Sequence, residues 1–491
     1  MNLRPYQTKL ISDIQTAWKK HRRVMAQLPT GGGKTIIFND IIHRAQKDGK
    51  RCMMIVHRKE LITQAGRKLF KMGVDYGVIM AGYDSRYSAT VQLASVQTLI
   101  RRAMPKGIDI LITDEAHHCV SPTYREIYST YPDAKFLGVT ATPIRTNGDG
   151  FTDLYDTLVC GPNVSDLIAG GYLVAPKIYA APTALDLSKI KKTGGDYNER
   201  ALADAMDNKR LVGGLVEQWT KHAYGRQTVC FAITVEHSKH IVEQYRQAGI
   251  SAEHIDGATP QDSRDKILAD FAKGQFKILS NVGIVTEGFD VPEIEVVQLA
   301  RPTTSLALYL QMVGRGLRPA AGKGTAIVLD HADCVFAHGF PEQDRVWTLS
   351  GINRKNKAPS GRKVMARDRT GNMYMSNELP ANITDIELVE VDYSEARIKS
   401  LEALVQAAAE SNRKPAWAWY RFETTVLKGG RATEYEIQHF WRISPKWEKK
   451  NHFVSYKMVE YGHKSTDFYP WMDKSAATIR FPVTTAKAVN F

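Results

Sequence analysis

One turn constrains this chain more than any other feature. Leu28-Pro-Thr-Gly-Gly-Gly-Lys-Thr35 places three glycines and a Lys-Thr pair directly after the apolar run Val24–Leu28. That order predicts a strand, a tight turn and a helix beginning near Lys34. Glycines let the backbone close around an anion, and the helix that follows points its positive end at it. A second short segment, Asp114-Glu-Ala-His117, ends the apolar run Ile108–Thr113. Together the two segments read as an ATP site. Thr30, Gly31, Gly32 and Gly33 form the phosphate cradle, and Lys34 reaches the β- and γ-phosphates. Thr35 and Asp114 hold Mg²⁺, and Glu115 orients and deprotonates the attacking water. The strict pattern has glycine where this chain has Leu28; the Gly-Lys-Thr chemistry does not depend on that position.

The rest of the first third alternates strands with helices. Cys52–Val56, Val91–Ala94, Ile108–Thr113 and Phe136–Thr140 are near-continuous apolar runs, the mark of a parallel sheet covered on both faces. The same grammar returns with Val229–Ile233, the helix His237–Gln247, and the strands Lys277–Asn281, Val296–Ala300 and Thr325–Asp330. Thr259 followed by Pro260 predicts a helix start with Thr259 as N-cap. The fold class is therefore α/β, with two tandem parallel-sheet domains over 1–160 and 209–340, a polar connector over 161–208 and a C-terminal accessory region over 341–491. In that last region a helical stretch, 394–411, precedes an aromatic-rich block around Trp417, Trp419 and Phe440.

Composition narrows the partners. The chain of 491 residues has a net charge of +14, which favours a polyanion. Between Arg345 and Asn377, eight Lys and Arg stand against Asp368 alone. No apolar run approaches the ~20 residues of a membrane span. The N-terminus lacks a signal core, so a cytoplasmic protein is expected. The five cysteines include no C-x-x-C pair, which argues against a zinc ribbon and for buried thiols. The histidine pairs His117/His118 and His237/His240 lack a third ligand at metal spacing.

In combination these motifs resemble superfamily 2 helicases and translocases over about residues 1–335. Leu3-Arg-Pro-Tyr-Gln7 resembles the adenine-reading segment, with Gln7 on the base edge and Arg4 beside it. His57-Arg-Lys-Glu-Leu61 and Ser95-Val-Gln-Thr-Leu99 are similar to motifs Ia and Ib. Thr140-Ala-Thr-Pro143 resembles motif III, Asn281–Asp290 motif V, and Gln311–Arg318 motif VI. The resemblance implies two RecA-like domains. It implies that Arg315 and Arg318 reach the γ-phosphate from the second domain while Gln311 helps place the water. Gly288 and Asp290 would meet the nucleotide, Asp290 at the ribose. Arg58, Gln97 and Thr286 would grip the nucleic-acid backbone, and His117, Thr140 and Thr142 would couple hydrolysis to movement.

The DEAH form and the N-terminal segment resemble RadD-like and phage DNA helicases more than RNA-remodelling DEAD-box proteins. RadD-type relatives commonly carry a C-terminal zinc element, for which this chain lacks the cysteines. Lys414-Pro-Ala-Trp-Ala-Trp-Tyr-Arg421 resembles a tail element of phage members. There Lys414 and Arg421 are the DNA candidates, and core packing is the preferred reading of the tryptophans. The expected function is an ATP-dependent DNA helicase or translocase acting on single-stranded, forked or branched DNA, by unwinding or branch migration. The alternatives are an RNA helicase and a duplex-translocating motor subunit of a restriction or defence complex. An inactive nucleic-acid scaffold is disfavoured by intact Lys34, Asp114, Glu115 and Arg315.

Overall fold

The structure is a computed structural model. It describes residues 3–57, 59–145, 148–180, 190, 192–193, 196–198, 201–202, 209–286, 291–351, 365–367, 373–375, 388–391, 401–406, 415–422 and 440. The chain divides into two compact units, Met1–Gln343 with Trp347–Val391, and Asp344–Val346 with Asp392–Phe491. The first unit holds both α/β halves.

The first sheet is built from β1 (Arg23–Gln27), β2 (Cys52–Val56), β3 (Tyr76–Ile79), β4 (Val91–Ser95), β5 (Ile110–Asp114), β6 (Lys135–Thr140) and β7 (Thr157–Cys160). Their order is β3-β4-β2-β5-β6-β1-β7, with every pairing parallel. Strands β2 and β4 are buried along their whole length. Helices pack on both faces and divide the core into two clusters, one around Ile14, Phe38 and Leu69, the other around Ile127, Phe136 and Phe151. This is the arrangement that continuous apolar strands require.

The second sheet begins inside the expected connector. There β8 (Ala175–Ala180) lies parallel to β15 (Thr325–Asp330), so the stretch 161–208 contributes a strand to the second core. The short hairpin β9 (Lys192–Thr193) and β10 (Asp196–Tyr197) follows. The sheet continues with β11 (Thr228–Phe231), β12 (Ala252–Ile255), β13 (Ile278–Asn281) and β14 (Val296–Leu299), in the order β12-β13-β11-β14-β15-β8-β18. A hairpin of β16 (Met365–Arg367) and β17 (Met373–Met375) precedes β18 (Val389–Val391), which closes the edge antiparallel to β8. One local expectation is corrected. The helix Gln261–Ala272 takes Pro260 as its N-cap, and the Thr259 hydroxyl instead donates to Asp256 Oδ1 at 2.9 Å.

In the second unit, helix Pro415–Phe422 buries Ala418, Trp419 and Phe422. The Trp419 ring lies 5.5 Å from Phe422 and 5.0 Å from Phe440, centroid to centroid. Residues 401–406 are helical, with Leu401 and Val405 buried. Trp419 is therefore core, while Arg421 on the same helix is exposed. Among the described residues no helix is long and apolar enough to cross a membrane. Cys52, Cys119, Cys230 and Cys334 are buried free thiols, and Cys160 is an exposed one.

Candidate active site

Strands β5, β6 and β1 lie side by side, and their C-terminal ends deliver three motifs to one edge, where open parallel sheets bind ligands. From β1 the chain turns through Thr30–Gly33 into the helix Lys34–Lys47. Gly33 is the N-cap, with φ +90°, a conformation glycine adopts without strain. A Cβ there would stand 2.5 Å from Gln7 Nε2. Leu28, the departure from the strict pattern, is fully buried. Its side chain lies so close beneath the turn that a Cβ at Gly32 would come within 2.8 Å of it. Leucine thus supports the turn from the core side.

Lys34 Nζ faces Glu115 Oε1 at 3.6 Å, both side chains nearly buried. Asp114 is the last residue of β5 and is 5% exposed; its Oδ1 accepts the Glu115 N–H at 2.9 Å. Glu115 has φ +47°. A non-glycine residue there stores on the order of 1–3 kcal/mol, a strain that concentrates at functional sites. Two buried oxygens in this region, Thr30 Oγ1 and Glu115 Oε2, have no hydrogen-bond partner. The glycine cradle, the buried lysine and the Thr30 hydroxyl as donor fit a polyphosphate, and the open Glu115 oxygen fits a water. The Thr35 hydroxyl and the Asp114 carboxylate are the hard oxygen ligands that Mg²⁺ takes.

Motif III is tied in by hydrogen bonds. Leu28 N–H donates to Thr140 O at 3.0 Å, and Gln27 Nε2 donates to Ala141 O at 3.0 Å. Thr140 Oγ1 donates to Thr142 O and accepts from Thr142 N, both at 3.2 Å. His117 Nδ1 lies 3.1 Å from Thr140 Oγ1 and 3.5 Å from Glu115 Oε2. Its Nε2 lies 3.4 Å from Gln311 Nε2. In the tautomer protonated on Nδ1, Nε2 accepts from the Gln311 amide and Nδ1 donates to Thr140 Oγ1.

Gln311 belongs to helix Leu306–Gly316, which presses the second half onto the turn. A Cβ on Gly314 would fall 2.5 Å from Thr30 Cβ. Arg318 Cγ lies 3.4 Å from where a Gly31 Cβ would stand. Arg315 is 5% exposed, and its Nη2 donates to Thr286 O. Thr286 itself is buried, its hydroxyl 3.3 Å from Gly283 O.

The segment Leu3–Gln7 meets the same turn. Gln7 Nε2 donates to Gly32 O at 3.3 Å, and Gln7 Oε1 accepts the Arg4 N–H at 2.9 Å. The Tyr6 hydroxyl donates to Gly32 O at 2.8 Å. Sequence reasoning missed the partner of this segment. Tyr172 lies edge-on to Tyr6 at 5.0 Å, with the Arg4 guanidinium 4.9 Å over its ring. Val174 N donates to Leu317 O at 2.9 Å, so Tyr172–Val174 touches both halves. Nothing in the sequence singles out a tyrosine in a polar connector.

The expected nucleic-acid residues separate. Gln97 is exposed and donates from Nε2 to His57 O at 3.2 Å. Arg58, Gly288, Asp290 and Lys414 lie outside the described residues.

Residues 1–145 match the family "Type III restriction enzyme, res subunit", and residues 209–320 match "Helicase conserved C-terminal domain". A 51.5 kDa protein of Lactococcus phage (isolate 7-9) is 38% identical over 324 residues, 66% of this chain and 68% of that one. A Schizosaccharomyces pombe protein named as a candidate mitochondrial ATP-dependent helicase, irc3, is 32% identical over 350 residues. The match covers 68% of this chain and 58% of that one's length. The DNA 3'-5' translocase XPB2 of Sulfurisphaera tokodaii is 27% identical over 360 residues, 65% and 79% of the two chains.

Proposed function

We propose that this chain, which belongs to superfamily 2 of the helicases, couples ATP hydrolysis to movement on DNA and to the unwinding or branch migration of it. The observation that carries this reading is the packing of helix Leu306–Gly316 on the glycine turn, with Gln311 at 3.4 Å from His117. A residue of the second half thereby touches one two positions from Glu115.

In this reading Lys34 and the N–H groups of the glycine turn hold the β- and γ-phosphates. Thr35 and Asp114 would hold Mg²⁺, which would supply neutralising charge for the phosphates. Glu115 takes the proton of the attacking water, and Gln311 orients that water. Arg315 and Arg318 supply positive charge as the bond to the leaving phosphate stretches. Gln7 and Arg4 read the base. Because the arginines and the lysine stand on different halves, hydrolysis requires the halves to close and product release lets them part. Arg58, Gln97 and Thr286, with Lys414 and Arg421 in the tail, would take the phosphates of one strand. Affinity should then fall steeply with salt.

The DNA preference draws support from the net charge of +14 and from the DNA translocase among the relatives. A second reading, a duplex-translocating motor of a restriction system, is favoured by the restriction-subunit match over 1–145. ATPase assays with single strand, duplex, fork, four-way junction and RNA compared side by side test both. Stimulation by DNA forms, lost in Lys34→Ala by at least about a hundredfold while DNA affinity survives, is the expected result. Stimulation by RNA alone, or full ATPase in Lys34→Ala, overturns the reading. Triplex displacement without fork unwinding selects the second.

A further inference from the structure

Three histidine rings join the ATP site to the segment expected to grip nucleic acid. His118 ends the short turn Ala116–His118 after β5 and is exposed. Its ring centroid lies 4.1 Å from that of His117 and 4.4 Å from that of His57. His57 directly follows β2, and its carbonyl accepts from Gln97 Nε2 at 3.2 Å. Gln97 Oε1 in turn accepts from Ser95 Oγ at 2.8 Å. One end of this run is the loop leading into motif Ia, together with motif Ib. The other is His117, whose nitrogens face Glu115, Thr140 and Gln311.

The His117 ring stands between two acceptors. Nδ1, in the tautomer that protonates it, faces Thr140 Oγ1 at 3.1 Å and Glu115 Oε2 at 3.5 Å. A small rotation of the ring exchanges one for the other. With the proton on Thr140, Glu115 Oε2 keeps its lone pair for water. With the N–H turned to Glu115, Oε2 is occupied by that hydrogen bond. Any shift of the loop after β2 moves His57, and through ring contact moves His118 and then His117. Coupling of this kind needs a contiguous contact, which the three rings supply.

We infer that His118 is a positioning residue that transmits nucleic-acid engagement from the loop after β2 to Glu115 through the His117 ring. The inference rests on the ATP-driven motor proposed above. An exposed ring between two others can be removed without leaving a core cavity, so the variant should fold.

The test compares wild type, His118→Ala and His118→Phe. ATPase is measured without nucleic acid and at saturating oligo-dT, blunt duplex and RNA; ATP and oligonucleotide affinities are measured separately. In His118→Ala the stimulated rate should fall about three- to thirtyfold. The unstimulated rate and both affinities should stay within about twofold of wild type. His118→Phe, which keeps the stack, should retain most of the stimulation. If His118→Ala does not fold, His118→Gln, with polarity but no ring, takes its place. Full stimulation in the ringless variant overturns the inference. So does an equal loss of stimulated and unstimulated rates, or weakened oligonucleotide affinity with full stimulation at saturation, which would make His118 a nucleic-acid contact. If no nucleic acid stimulates the wild type, the proposed function itself fails; if only the variant comparison fails, that function stands.

Discussion

Arg315 shows how much one side chain can hold in reserve. Its guanidinium is buried and donates to the Thr286 carbonyl, so it is held by the loop after β13 and sits on the helix that presses on the glycine turn. Arg315→Ala should lower ATP turnover by on the order of 10³ while ATP affinity changes only a few-fold. Steady-state turnover set against equilibrium nucleotide binding checks this, and equal losses in both would remove Arg315 from the hydrolysis step. At this scale the sequence was informative wherever chemistry demands a residue type. Lys34, Asp114 and Glu115 stood out as candidates because phosphate, cation and water each require a particular donor or acceptor, whereas Gln311 entered only through the family resemblance. Tyr172, His57 and His118 were not. An aromatic ring in a connector or a second histidine after an acid pair becomes meaningful only when its neighbours in space are known.

Between elements, the decisive contact is the close approach of helix Leu306–Gly316 to the turn before helix Lys34–Lys47. Two glycines of that helix face different neighbours, and alanine should separate their roles. At Gly314 the added Cβ meets Thr30 at 2.5 Å; at Gly316 it meets Val297 of β14 at 2.7 Å. Gly314→Ala should push the halves apart at the nucleotide, and a misplacement near 1 Å costs about a hundredfold in rate. Gly316→Ala should overpack the second core instead, by about 1–3 kcal/mol, and lower the melting temperature. ATPase rates and thermal melts on both variants distinguish the two effects, and identical behaviour would contradict the assignment. Elements also mark where sequence reading stopped. The buried strands β2, β4, β5 and β11 announce themselves as apolar runs. Among the missed ones, β3, β7 and β12 are edge strands with mixed burial, and β8 lies next to an edge. Half-exposed strands carry no continuous apolar signal.

The whole molecule's stability should respond to acid through a group far from the chemistry. Burial, with the nearby His222 adding like charge, pushes the His331 imidazole down from 6.5 to about 3. Gln298 Nε2 lies 3.2 Å from His331 Nε2, which accepts from it in the neutral form. Above pH 6.5 folded and unfolded chains both hold this ring neutral, and its contribution is fully present. As pH falls from 6.5 toward 3, the unfolded chain binds a proton that the folded chain refuses, so stability is lost across that window. Urea melts over this range should show a shallower acid slope in His331→Gln. An unchanged slope would mean the ring is accessible to protons in the folded state.

Taken alone, the amino-acid order determined the repeated α/β grammar and singled out the candidate groups for phosphate, cation and water. These are local matters: a strand ending in glycine and lysine, a strand ending in two acids. What only the folded chain decided is who faces whom. Gln311 comes to His117, Gly314 to Thr30, Tyr172 to Arg4 and His118 to His57 because two sheets and the chain joining them close on one edge. Such meetings depend on the packing of whole layers, and no spacing along the chain encodes them.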